Sequence, residues 1–123
     1  MLKLLIIDDE DGIVSEVKDF FEEEGYSVFT ADTGEDGKRL LWREMPDLVM
    51  IDLKLPDTSG LEVLKALRSN FPDCKVIVNT GYVDQNLMDQ ATEYGCDAFL
   101  SKPFNLIRLK EEVDRILKPE IRF

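Results

Sequence analysis

Histidine is absent from this chain, and cysteine occurs only twice. The first absence removes every imidazole base, nucleophile and metal ligand, so any chemistry falls to carboxylates, hydroxyls and amines. Cys74 and Cys96 lack the close spacing of a zinc or redox pair and read as reduced thiols in a cytoplasmic compartment. Cationic residues are also the minority: 15 Lys and Arg face 26 Asp and Glu, a net charge of −11. That balance argues against a nucleic-acid groove or an anionic membrane surface. No apolar run approaches the length of a bilayer span. Leu4-Leu5-Ile6-Ile7 is too short for the core of a secretory leader and runs at once into acids. What remains is a 123-residue chain, 44% hydrophobic and 33% charged, the size and composition of one globular domain with a real core.

Short apolar runs alternate with helix-period segments. The strands read as Lys3 to Ile7, Tyr26 to Thr30, Asp47 to Ile51, Lys75 to Asn79 and Asp97 to Leu100. Runs of this kind, bounded by turn residues, fit strands buried on both faces. The first helix carries Ile13, Val14, Val17, Phe20 and Phe21 on one face and closes at Gly25. Thr33 caps a second helix through Glu44, with Leu40 and Leu41 inward and Trp42 partly inward. Met45-Pro46 ends it. A third helix carries Leu61, Val63, Leu64 and Leu67. The fourth, from Asp84 to Tyr94, has few apolar anchors. The last runs from Asn105 to Lys118. Five strands alternating with five helices predict a doubly wound α/β domain with a parallel sheet in the order 2-1-3-4-5.

The chemistry-bearing residues gather at strand ends. Asp8 and Asp9 follow the first strand, Asp52 the third, Thr80 the fourth and Lys102 the fifth. In a sheet of that order these ends share one edge, around the switch point between strands 1 and 3. Carboxylates crowded there repel one another and need a cation. With only oxygen donors on offer the ion is a hard one, Mg²⁺ or Mn²⁺ in its place. A hydroxyl and an ammonium beside such an ion point to phosphoryl chemistry. Asp52, central in the sheet, is the candidate nucleophile that would form an acyl phosphate. Taken singly, Asp9 could cap the first helix, Thr80-Gly81 could be a turn and Lys102-Pro103 merely a strand's end. Their joint placement is what carries the reading.

The ordered pieces Asp8-Asp9-Glu10, Asp52 with Pro56 and Ser59-Gly60, Thr80-Gly81 and Lys102-Pro103-Phe104 resemble the receiver domain of bacterial two-component response regulators, in its single-domain, chemotaxis-like form. The resemblance extends over the whole chain and implies one receiver domain over residues 1–123. It implies that Asp52 accepts a phosphoryl group from a phosphohistidine on a sensor kinase or a histidine phosphotransfer protein. It also implies Mg²⁺ held by Asp9, Asp52 and the backbone carbonyl of Lys54, with Asp8 acting through water. Thr80 and Lys102 would bind phosphoryl oxygens, and the Lys102-Pro103 bond would be cis. Phe99 takes the family's aromatic switch position. Together with Thr80 it would reshape the surface of the fourth helix, fifth strand and last helix, where an output partner or a second copy docks.

Such a protein catalyses its own phosphorylation and dephosphorylation but is not a turnover enzyme. It works in the cytoplasm and touches neither nucleic acid nor membrane directly. A flavodoxin-like cofactor site would need a Gly/Ser/Thr-rich first turn, where this chain has Asp8-Asp9-Glu10-Asp11. A hydrolase with an aspartyl nucleophile would place a second acid where Lys54 stands. The alternative is a pseudo-receiver that only docks proteins, and the complete set of Asp8, Asp9, Asp52, Thr80 and Lys102 counts against it.

Overall fold

The computed structural model describes residues 1–81 and 84–117. The strands β1 (Lys3–Ile7), β2 (Ser27–Ala31), β3 (Leu48–Asp52), β4 (Lys75–Thr80) and β5 (Ala98–Ser101) form a single sheet. Every pairing is parallel and the order is β2-β1-β3-β4-β5, as the pattern predicts. The crossovers are α1 (Asp11–Glu23), α2 (Gly34–Glu44), α3 (Gly60–Asn70) and α4 (Gln85–Glu93), and α5 (Leu106–Leu117) follows the last strand. The predicted end of that helix at Lys118 lies outside the described residues. No helix among the described residues is long and apolar enough to cross a membrane.

Strand side chains point alternately to the two faces of the sheet, so each central strand feeds two cores. Leu5, Ile7, Val49 and Ile51 pack on one face with Leu40, Leu64 and Leu67 of α2 and α3. Leu4, Ile6, Leu48 and Met50 pack on the other with Val17 and Phe21 of α1 and Leu109 and Val113 of α5. Two-sided burial explains why β3 reads as an unbroken apolar run. It also brings Asp52 into the sheet as the last residue of β3, paired with Asn79 of β4.

The helix ends are chemically specified. The Thr33 hydroxyl accepts from the Asp36 amide at 3.1 Å, as predicted, and Ser59 and Asp84 cap α3 and α4 in the same way. Met45 stops α2 in the left-handed conformation, φ 49°. Gly60 opens α3 against the backbone of β3: a Cβ there would collide with the Asp52 carbonyl oxygen and lie 2.8 Å from Leu53 Cα. The loop after Asp52 is therefore held close to the strand it leaves.

Two packing expectations change. Trp42 is 63% exposed rather than partly inward. At 100° per residue it turns past the inward stripe of Gly34, Gly37, Leu40 and Leu41, and its ring meets that of Phe71 edge-on, with centroids 5.0 Å apart. Helix α4 is anchored even more lightly than its sequence suggests, with Ala91 its one fully buried residue. Both cysteines are free. Burial pushes the Cys74 thiol up to about 12 and raises Cys96 as well, so neither is a reactive thiolate at neutral pH.

Candidate functional site

Two carboxylates are buried at the carboxyl edge of the sheet: Asp8, one residue beyond β1 and 1% exposed, and Asp52, 5% exposed. Each is satisfied in the same way. One oxygen of each accepts the backbone amide two residues on, Glu10 N to Asp8 Oδ1 at 2.9 Å and Lys54 N to Asp52 Oδ1 at 3.1 Å. The other oxygen faces Lys102, whose Nζ lies 2.9 Å from Asp8 Oδ2 and 3.0 Å from Asp52 Oδ2. Lys102 also donates a short hydrogen bond to Glu10 Oε1. Burial by itself would lower the Lys102 ammonium. Hydrogen bonds to Glu10, Asp8 and Asp52 outweigh it and hold the group well above its ordinary value. Lys102 therefore stays cationic at any physiological pH.

One ammonium among three carboxylates leaves two formal negative charges uncompensated. The donor oxygens of Asp8, Glu10 and Asp52 lie within 4.8 Å of one another, so the set fits a hard divalent cation such as Mg²⁺. Of the predicted ligands, Asp8 and Asp52 belong to this cluster. Glu10 joins the cluster, whereas Asp9 is exposed and lines the adjoining cleft. Past β1 the chain bends at Asp9 and is extended again at Glu10, φ −89°, ψ 96°. Asp9 does not cap α1 either. Its N-cap is Glu10, which makes no side-chain cap bond.

The cleft over Asp52 has a volume of about 460 Å³, and Lys54, Pro56 and Thr80 line it with Asp9 and Glu10. Thr80 ends β4 and is buried, 1% exposed. Its carbonyl accepts the Lys102 amide at 2.8 Å, which ties the two strand ends together. Lys102-Pro103 is cis, as predicted. Lys54 holds its side chain in solvent while its backbone forms a bridge to Ser59. Phe99, on β5, is half-buried and packs with Leu87 against the core on the α3 side.

Two residues near the site escaped the sequence pattern. Asn79 is fully buried beneath the cluster and donates from Nδ2 to Asp8 Oδ2 at 3.2 Å. Its signal was a polar residue closing the run Val76-Ile77-Val78. Asp57, in the loop after β3, accepts from the amides of Gly34 and Glu35 at 2.8 and 3.0 Å. Those two amides, at the positive end of α2, hold its carboxyl below the usual range. They also tie the loop to that helix.

Residues 4–114 match the family model of the response regulator receiver domain. The chain belongs to that family. It is 32% identical over 115 residues to sporulation initiation phosphotransferase F of Bacillus subtilis, a match covering 94% of this chain and 93% of the relative. Among solved structures, a CheY-like receiver domain protein from Methanospirillum hungatei superposes with a TM-score of 0.88 at 33% identity, covering 97% of this chain and 98% of the other. A response regulator from Burkholderia pseudomallei, described as having a phosphorylated aspartic acid, a calcium ion and citrate, superposes with a TM-score of 0.86 at 28% identity, over 91% of this chain and 66% of that one. Other curated relatives are longer, and this receiver spans only 32% to 52% of three of them.

Proposed function

We propose that this receiver is the phosphoacceptor of a two-component or phosphorelay pathway, taking a phosphoryl group onto Asp52 from a phosphohistidine of a sensor kinase or phosphotransfer protein in the cytoplasm. The observation that carries this is the setting of Asp52, a buried carboxylate at the floor of an open cleft, 3.0 Å from the Lys102 ammonium. In the transfer an Asp52 oxygen attacks phosphorus, the bond from phosphorus to the imidazole nitrogen breaks, and the imidazole leaves. Asp8, Asp9, Glu10, Asp52 and the Lys54 carbonyl are the groups available to Mg²⁺, which when bound would neutralise phosphoryl oxygens. Lys102, shared among three acids before transfer, follows the new charge to the phosphoryl group. The Thr80 hydroxyl donates to another phosphoryl oxygen. The domain accepts one phosphoryl group per chain and acts as a switch, with no separate substrate to turn over.

The direct test uses acetyl phosphate, which needs no partner protein. With millimolar Mg²⁺ the purified chain gains the mass of a single phosphoryl group, and with chelator it gains none, as read by intact-mass spectrometry. A chain unmodified under both conditions would be a docking-only pseudo-receiver.

The signal leaves the site through Thr80 and Phe99. When phosphoryl oxygens draw the Thr80 hydroxyl inward, the half-buried Phe99 ring turns in behind it, and lightly anchored α4 shifts at little cost. The face made by α4, β5 and α5, where Ile107 is 63% exposed, then accepts an output partner or a second copy. NMR with beryllium trifluoride as phosphoryl mimic should show large shift changes at Phe99 and along residues 84–94, diminished in Thr80→Ala. Changes confined to the loops after Asp9, Asp52 and Lys102 would mean that Phe99 is static packing.

A further inference from the structure

Asn79 has no exposed surface and stands across from Asp52 in the β3–β4 register. Its neighbours Val76, Ile77 and Val78 are what a strand buried on both faces calls for. A buried amide has to be matched at both ends. Here only Nδ2 is matched, by Asp8 Oδ2 at 3.2 Å, while Oδ1 has no hydrogen-bond partner among the described residues. A half-satisfied amide is worse for stability than an apolar side chain of the same shape. Packing therefore does not account for an asparagine at this position, and the bond to Asp8 does.

We propose that Asn79 is a positioning residue for the divalent-cation site, its amide fixing the Asp8 carboxylate in the orientation that serves the ion. This rests on the reading of Asp8 and Asp52 as the Mg²⁺ site. Asp8 has three donors, with the Glu10 amide on Oδ1 and both Lys102 and Asn79 on Oδ2. Lys102 is required at the phosphoryl group during transfer, which leaves Asn79 as the side-chain donor that stays on Asp8. A neutral donor suits that task, because a second ammonium would repel the incoming cation. Partners of this outer kind typically change metal affinity by about 10- to 100-fold when removed.

The test is Asn79→Leu, which keeps the branched skeleton and removes both polar atoms, with the smaller Asn79→Val as a second variant should leucine not pack. Mg²⁺ affinity of the full chain is measured by titration calorimetry, and thermal stability is measured separately in chelator. The expected result is Mg²⁺ affinity weakened about tenfold, with a melting temperature in chelator equal to or above that of the native chain. Unchanged or tighter Mg²⁺ binding in the variants overturns the proposal. So does weaker binding that comes with a lower melting temperature in both variants, which would make Asn79 structural. A native chain that gives no saturable Mg²⁺ binding removes the site reading itself, a result distinct from either.

Discussion

Asp52→Asn is expected to give a folded protein that gains no mass from acetyl phosphate and Mg²⁺ where the native chain gains one phosphoryl group. A carboxamide has nearly the shape of the carboxylate and can still accept the Lys54 amide through its oxygen, so the local geometry survives. It carries no anionic oxygen and is no nucleophile at neutral pH, so the reaction has no acceptor. The fold gains from the change in Mg²⁺-free buffer, because one of three mutually repelling carboxylates around Lys102 loses its charge. The effect on labelling is all-or-none, and a higher melting temperature in chelator shows that the loss is chemical and not a failure to fold. Labelling that persists at the native level in this variant would move the acceptor to another acid of the cluster.

The fold was legible because two-sided burial leaves a plain trace. Leu4 to Ile7, Leu48 to Ile51 and Val76 to Val78 are apolar runs of strand length with turn residues at their ends. Helix-length segments between them force parallel pairing, and right-handed crossovers leave few sheet orders. Boundaries moved by a residue where polar lead-ins look like strand. Asp47 precedes β3, its carboxylate accepting the Lys3 amide at 2.7 Å. Trp42 was misplaced because bulk suggests burial, whereas helical rotation decides it.

The site was legible as a set of strand ends, and less so in its detail. The place of Glu10 in the acidic cluster follows from the bend that the chain makes at Asp9 after β1, and from the contact of its side chain with Lys102. Neither is visible in a row of four acids. Asn79 carries meaning only once the register places it beside Asp52 and beneath Asp8. Nothing local marks Asp57, since its partners Gly34 and Glu35 are more than twenty residues away in sequence. Contacts of that range are set by how elements pack, and local pattern does not encode them.

Lys102→Met should be the most destabilising single change at the site, and Mg²⁺ should reverse most of it. The lysine side chain is 8% exposed and touches Asp8, Glu10 and Asp52 at once. Methionine keeps much of the aliphatic stem and removes the charge that compensates two buried acids. Breaking a buried ion pair from one side costs about 3–5 kcal/mol, and the open cleft favours the low end of that range. A cation that binds only the folded state adds RT ln(1 + L/Kd), about 2.7 kcal/mol at a hundredfold excess over Kd. Most of the loss should therefore return in Mg²⁺. Lys110→Met is the control, since its pairs with Glu24 and Asp114 lie at the surface and exposed pairs contribute about 0–1 kcal/mol. Thermal melts of both variants in chelator and in millimolar Mg²⁺ decide the matter. If Lys102→Met in chelator melts with the native chain, or if Mg²⁺ stabilises the two variants equally, Lys102 is not the counter-ion of this cluster.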